Sequence, residues 1–210
     1  MEREKTDEEL LAEFQQGDAT AFEGLLRRHR RPLYTFFVRM LGDRARAEDL
    51  AQETFLRIVK GSAAWQHRAR FQTWLYTIAR NLCVDAARRD RFRRAESLDA
   101  EDGEEGRPLV DGVASDDPSP DRSAASAELR PILQRALLSL PTEQREVFVL
   151  REQAGIPFKE IAELVGINEN TVKSRMRYAL LGLRKALAEE GVTANDAESD
   201  GVPSIRLGRA

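Results

Sequence analysis

One cysteine, Cys83, in 210 residues leaves no internal disulfide framework, so packing and hydrogen bonds must hold the fold and a reducing compartment is expected. Cys83 falls within a helical apolar pattern and reads as a small packing residue. Histidine is nearly as scarce: His29 and His67 are the only two, and they have no companion ligands that would complete a metal set. No glycine-rich phosphate loop occurs, and the many carboxylates fall in solvated stripes or in one acidic segment. Neither a cofactor nor catalysis is therefore expected. Long apolar runs are missing too. Met1 to Leu11 is charged and has no apolar core of signal-peptide length, and nothing approaches the roughly 20 apolar residues of a membrane span. The expectation is a soluble cytoplasmic protein with no membrane insertion.

What the chain does have is segregated charge behind a net charge of only −3. From Arg80 to Arg94 there are six basic and two acidic residues, whereas from Ala95 to Glu128 there are two basic and eleven acidic. An acidic total does not argue against nucleic acid, because binding follows the local patch. The same contrast divides the chain into a helical domain over 1–94, an acidic flexible linker over 95–127, a second helical domain over 128–190, and a polar tail over 191–210 that is expected to be disordered. The fold class is all-α, with two small helical domains.

In the first domain Thr6 and Glu9 form a capping box ahead of Leu10, Leu11 and Phe14, and Gly17-Asp18 ends one helix and caps the next. The second helix buries Phe22, Leu25 and Leu26, with Pro32 expected to kink or restart it before Leu33, Phe36, Phe37, Met40 and Leu41; Gly42 ends it. A third helix, about Arg44 to Lys60, turns Ala47, Leu50, Ala51, Thr54, Phe55, Ile58 and Val59 inward. Leu56 instead projects among Asp49, Gln52, Glu53 and Arg57. An apolar residue in a charged stripe has the makeup of a protein contact, although a lone exposed leucine is also common.

The fourth helix starts near Phe71 and buries Phe71, Leu75, Ile78, Leu82 and Ala86. Its outer arc shows Thr73, Tyr76, Thr77, Arg80, Val84 and Arg88, with Trp74 and Asn81 at the border. Alternating aromatic and basic groups suit single-stranded nucleic acid, because bases stack on rings while arginines neutralise phosphates. The preceding loop, with Trp65, His67, Arg68 and Arg70, has the composition to shape a pocket for a flipped base. The plainer reading makes Trp74 core, Trp65 a loop anchor and the arginines solubilising groups.

In the second domain Leu129, Ile132, Leu133, Ala136, Leu137 and Leu140 open a helix, and another runs from about Thr142 to Gln153. Phe158, Ile161, Ala162 and Val165 then recur at helical spacing, with Pro157 in the first turn and Gly166 as a left-handed stop. Asn168 caps a further helix that turns Val172, Met176, Ala179, Leu180, Leu183 and Leu187 inward. Its opposite arc carries Asn170, Thr171, Ser174, Arg177, Tyr178 and Leu181, flanked by Lys173 and Arg175. The short Gly166-Ile167-Asn168 connection, with Ile167 as an apolar plug, is that of a helix-turn-helix, and the donor-rich arc suits a major groove. An ordinary amphipathic hairpin with a solvated basic face would share the spacing.

Four segments together carry a resemblance: AEDLAQETFLRIVK from Ala47, FQTWLYTIARNLCVDAARR from Phe71, LPTEQREVFVLRE from Leu140, and NENTVKSRMRYAL from Asn168. The chain resembles the extracytoplasmic-function (ECF) sigma factors of the sigma-70 superfamily, which retain only regions 2 and 4, over residues 7–94 and 128–188. The resemblance implies that the third helix (Asp49, Gln52, Glu53, Leu56, Arg57) docks on the β′ clamp helices of core RNA polymerase. It implies that Trp65, His67, Arg68, Arg70, Phe71, Trp74, Tyr76, Arg80, Asn81 and Arg88 serve melting and capture of the −10 promoter element. The −35 element would be read by Asn170, Thr171, Lys173, Ser174, Arg175, Arg177 and Tyr178. It further implies contact with the β flap, an anti-sigma factor as partner, and a linker that threads towards the polymerase active centre. The long acidic linker, the tail after Gly191, and Ile156-Pro157 in place of a hydroxyl cap depart from the family pattern. A helix-turn-helix regulator that binds duplex DNA alone, and a purely protein-binding helical adaptor, are the competing functions. Template-directed initiation with core polymerase separates the first reading from both.

Overall fold

The computed structural model describes residues 3–66, 69–98 and 123–192, with side chains described for 3–66, 69–93 and 129–192. His67, Arg68, most of the acidic linker and the tail beyond Val192 lie outside these residues. Eight α-helices are described: α1 (Asp7–Gln15), α2 (Ala19–Leu41), α3 (Arg44–Gly61), α4 (Phe71–Leu98), α5 (Ser123–Ser139), α6 (Thr142–Glu152), α7 (Phe158–Val165) and α8 (Glu169–Glu189), with one 3₁₀ turn at Ser62–Ala64. The described residues contain no strand. The helices form two compact units, α1–α4 and α5–α8. Helix α4 continues past Arg94 to Leu98, and α5 begins at Ser123, so both enter the segment expected to be linker.

Helix ends in the first unit follow the local chemistry. The Thr6 hydroxyl accepts the Glu9 N–H at 3.2 Å while Glu9 Oε2 accepts the Thr6 N–H at 2.8 Å. Asp18 caps α2 by accepting the Thr20 N–H at 2.9 Å, and Asp43 caps α3 by accepting the Arg46 N–H at 3.0 Å. Gly42, at φ 75°, makes the left-handed turn between α2 and α3. Pro32 does not restart α2, which runs through it as one helix. Buried Leu25 and His29 before it and Leu33, Phe36, Phe37 and Met40 after it clamp both halves to a common core. Phe36 meets Phe37 and Tyr76 edge-on, at centroid distances of 5.5 and 5.2 Å.

An ion cluster ties α1 to α2. Asp7 pairs with Arg28 and lies 2.7 Å from His29 Nε2. Burial pushes the Asp7 carboxyl up, but hydrogen bonds and charge from His29 and Arg28 more than offset this and hold it below its ordinary value. A depressed carboxyl adds stability that is present above its unfolded pKa and is lost as pH falls through the folded one. Unfolding midpoints taken from about pH 5 down to about pH 2 should therefore fall less steeply for Asp7→Asn than for the native chain. Parallel curves would remove Asp7 from the acid response.

The second unit packs α6 and α7 around α8, with Val147, Phe148, Val149 and Leu150 of α6 facing Val172, Met176, Ala179 and Leu183 of α8 in one core with Ile161 and Ala162. A Cβ on Gly182 would come within 2.5 Å of Leu140 Cδ2, so glycine lets α8 lie close to the end of α5. Gly166 stops α7 at φ 78°, and Asn168 Oδ1 caps α8 by accepting the Thr171 N–H at 2.8 Å. The helix-turn-helix geometry read from the spacing is present. Pro157 precedes α7 without a side-chain cap, so Ile156-Pro157 starts the helix through backbone conformation alone.

Candidate nucleic-acid and polymerase interfaces

Core residues at every third or fourth position hold one side of α8, leaving the opposite side to solvent. Asn170, Lys173, Ser174, Arg177 and Tyr178 are exposed there, and Thr171 and Arg175 are half-buried. Thr171 is engaged in the cap, since its hydroxyl also donates to Asn168 Oδ1 at 3.0 Å. Lys173 pairs with Glu169 at 2.7 Å. The Arg177 guanidinium sits 5.0 Å from the Tyr178 ring centroid and donates to its hydroxyl at 3.3 Å. This orients a five-donor fork on the outer face, the chemistry that matches guanine edges and phosphates. Tyr178 and Leu181 are each 50% exposed, so the apolar content of this face is accessible to a partner.

The first unit presents two surfaces. On α4, Asn81 and Arg88 are exposed, Arg80 and Trp74 half-buried, and Trp65 stands beside Trp74 with ring centroids 6.1 Å apart. Arg70 is exposed at the start of the helix. Two expected contacts are corrected. Phe71 and Tyr76 are 0% and 1% exposed, Phe71 against His29 and Tyr76 against Phe36, so neither ring can receive a base. Helix α4 is covered by α2 and α3 together and touches α1, so its buried arc is wider than a two-layer wheel implies. Phe92 was missed as a surface group. It is 60% exposed with Arg88 5.7 Å over its ring, and extends the Val84–Arg88 row by one turn, a signal available from i, i+4, i+8 spacing.

The other surface is the outer stripe of α3. Asp49, Gln52 and Arg57 are exposed and Glu53 is half-buried, with Arg57 donating to Glu53 Oε1 at 2.8 Å and holding that carboxyl below its ordinary value. Leu56 is 53% exposed among them. Val59, expected inward, is 40% exposed and joins Leu56 one turn on, because Phe55 and Ile58 already fill the contact with the neighbouring helices. The stripe therefore has a two-residue apolar centre.

Two family models match the chain: Sigma-70 region 2 over residues 25–93 and Sigma-70 region 4 over residues 130–181. The ECF RNA polymerase sigma factor SigW of Bacillus subtilis is 33% identical over 180 residues, spanning 85% of this chain and 95% of that protein. The chain belongs to the ECF RNA polymerase sigma factors. This sigma factor acts in transcription initiation, with core RNA polymerase and promoter DNA as partners of its two regions. A solved complex of CnrH with the cytosolic domain of CnrY matches with a TM-score of 0.60 at 25% identity, covering 89% of this sigma factor and 99% of CnrH. The sigma factor RpoE, in complex with the anti-sigma factor NepR from Bartonella quintana, shares the fold at a TM-score of 0.63 and 24% identity, over 80% of this chain and 96% of that one. No described helix is long and apolar enough to cross a membrane, and among the described residues no group of three or more His, Cys, Asp or Glu could hold a metal ion.

Proposed function

We propose that the α8 face reads the −35 promoter element through Asn170, Lys173, Ser174, Arg175, Arg177 and Tyr178, with Arg177 making the principal base contact. The orientation of the exposed Arg177 fork by Tyr178, above a core that fixes the helix, carries this reading. In the same scheme Trp65, Arg70, Trp74, Arg80, Asn81 and Arg88, with His67 and Arg68 of the loop, capture the melted −10 strand, while Phe71 and Tyr76 support them from beneath. The α3 stripe docks on the β′ clamp helices, and region 4 contacts the β flap. Both solved relatives are held by a second protein, one an anti-sigma factor; an anti-sigma partner for this chain, working with it in the cytoplasm, extends the parallel.

Arg177→Ala should cost about 1–3 kcal/mol of promoter binding and relax the preference at one −35 base pair. Run-off transcription with core polymerase on a set of singly substituted −35 sequences measures this. An equal loss on every sequence would make Arg177 a phosphate contact instead.

A further inference from the structure

Helix α1 precedes the matched region 2, yet it grips both ends of the loop between α3 and α4. At the first end the Gln15 side-chain amide donates to the carbonyl oxygens of Ser62, at 2.7 Å, and Trp65, at 3.2 Å. At the other, Glu8 Oε1 accepts the Phe71 N–H at 2.9 Å, one of the amide groups that start α4 and have no acceptor within it. Helix α1 is in turn anchored, because Asp7, next to Glu8, is paired with Arg28 and His29 of α2. The loop's anchorage is thus supplied from another element.

Trp65 is the residue most directly governed by this grip. Its backbone follows the 3₁₀ turn, its carbonyl is held by Gln15, and its ring lies 6.1 Å from Trp74 at 32°. Trp74 is itself closely seated against the end of α3: a Cβ on Gly61 would stand 3.2 Å from Trp74 Cζ2. A single amide nitrogen with two hydrogens satisfies both carbonyls, which a carboxylate of the same shape cannot do. We propose that Gln15 is a specificity-positioning residue, holding Trp65 in its tilted contact with Trp74 so that the pair presents one fixed aromatic surface on which an unpaired −10 base stacks. The proposal rests on the reading of this loop and α4 as the −10 interface. Gln15 touches no DNA itself.

The test uses the full chain with core polymerase on premelted templates carrying every base at each −10 position. Gln15→Glu, isosteric but unable to donate, and Gln15→Ala should each relax the preference at one −10 position roughly three- to tenfold. Dependence on the −35 element and affinity for core polymerase should stay unchanged. Gln15→Lys, which keeps a donor at similar reach, should recover part of the preference. Gln15 is exposed, so the variants should fold. The chain has two tryptophans, and both are at this site, so its near-ultraviolet circular dichroism and fluorescence report the Trp65–Trp74 pair without background from other indoles. Both signals should change in Gln15→Glu and return towards native in Gln15→Lys. A replacement of Trp65 to Arg70 by unrelated loop residues serves as the reference. If that replacement alters −10 preference while Gln15→Glu retains the native pattern, the positioning role is overturned and the loop's role stands. If the replacement itself leaves promoter choice unaltered, the −10 reading of the loop falls and the role of Gln15 falls with it.

Discussion

Tyr76→Ala is expected to destabilise the α1–α4 unit by about 3–5 kcal/mol, the range for removing a large buried ring. Tyr76 is 1% exposed and meets Phe36 edge-on at 5.2 Å, so truncation leaves a cavity between α2 and α4 that neighbouring side chains cannot fill without leaving their rotamers. Against the roughly 5–15 kcal/mol that holds a typical domain folded, this is a large fraction. The same burial raises the phenol well above the ordinary tyrosine range, so it stays neutral at any working pH. Tyr76→Phe keeps the ring and should leave both the fold and promoter opening close to native. Denaturant unfolding followed by circular dichroism gives the first quantity, and opening of a fluorescent promoter the second. Loss of opening in a stable Tyr76→Phe protein would return Tyr76 to the DNA-facing surface.

Leu56→Arg is expected to weaken binding to core polymerase by at least about 2 kcal/mol, close to a thirtyfold rise in Kd, because it forces a charge into the apolar centre of the contact. In the proposed docking Leu56 and Val59, both exposed, supply that centre, and the Glu53–Arg57 pair lies on its rim. Rim charges exchange water for partner at little net gain, so Glu53→Lys should have the smaller effect, mainly on association rate. Leu56 is 53% exposed in the free chain, and its replacement should leave stability within about 0.5 kcal/mol. Titration of labelled core polymerase, with a melting curve for each variant, separates docking from folding. Native affinity in Leu56→Arg would place the docking surface elsewhere.

The two helical units, the caps at Thr6, Asp18 and Asn168, the stops at Gly42 and Gly166, and the outward face of α8 were legible because each depends on residues close in sequence. So was the exposure of Leu56. What periodicity could not supply was the number of neighbours around each helix. A wheel places Phe71 and Leu75 inward but cannot say that Tyr76, nearly 100° further round, is also covered. Val59 shows the opposite error, an apolar side chain left outside because Phe55 and Ile58 saturate the available contact. The bonds of Gln15 and Glu8 to the loop were invisible for a different reason. They join residues 47 to 63 positions apart, and no local pattern marks a side-chain amide or carboxylate that will serve another element's backbone.

The buried position of Cys83 turns the native chain into its own clock for local opening. Cys83 on α4 is 6% exposed, so a thiol reagent reacts with it mainly when that helix separates from its neighbours. Because the α5–α8 unit contains no cysteine, the rate of labelling times the breathing of the first unit alone. A ligand that binds across α4 would slow that rate whether or not it changed the helix content, and a cysteine introduced at exposed Ser174 would react first. Labels could thus be attached to α8 with the native sulfhydryl left in place.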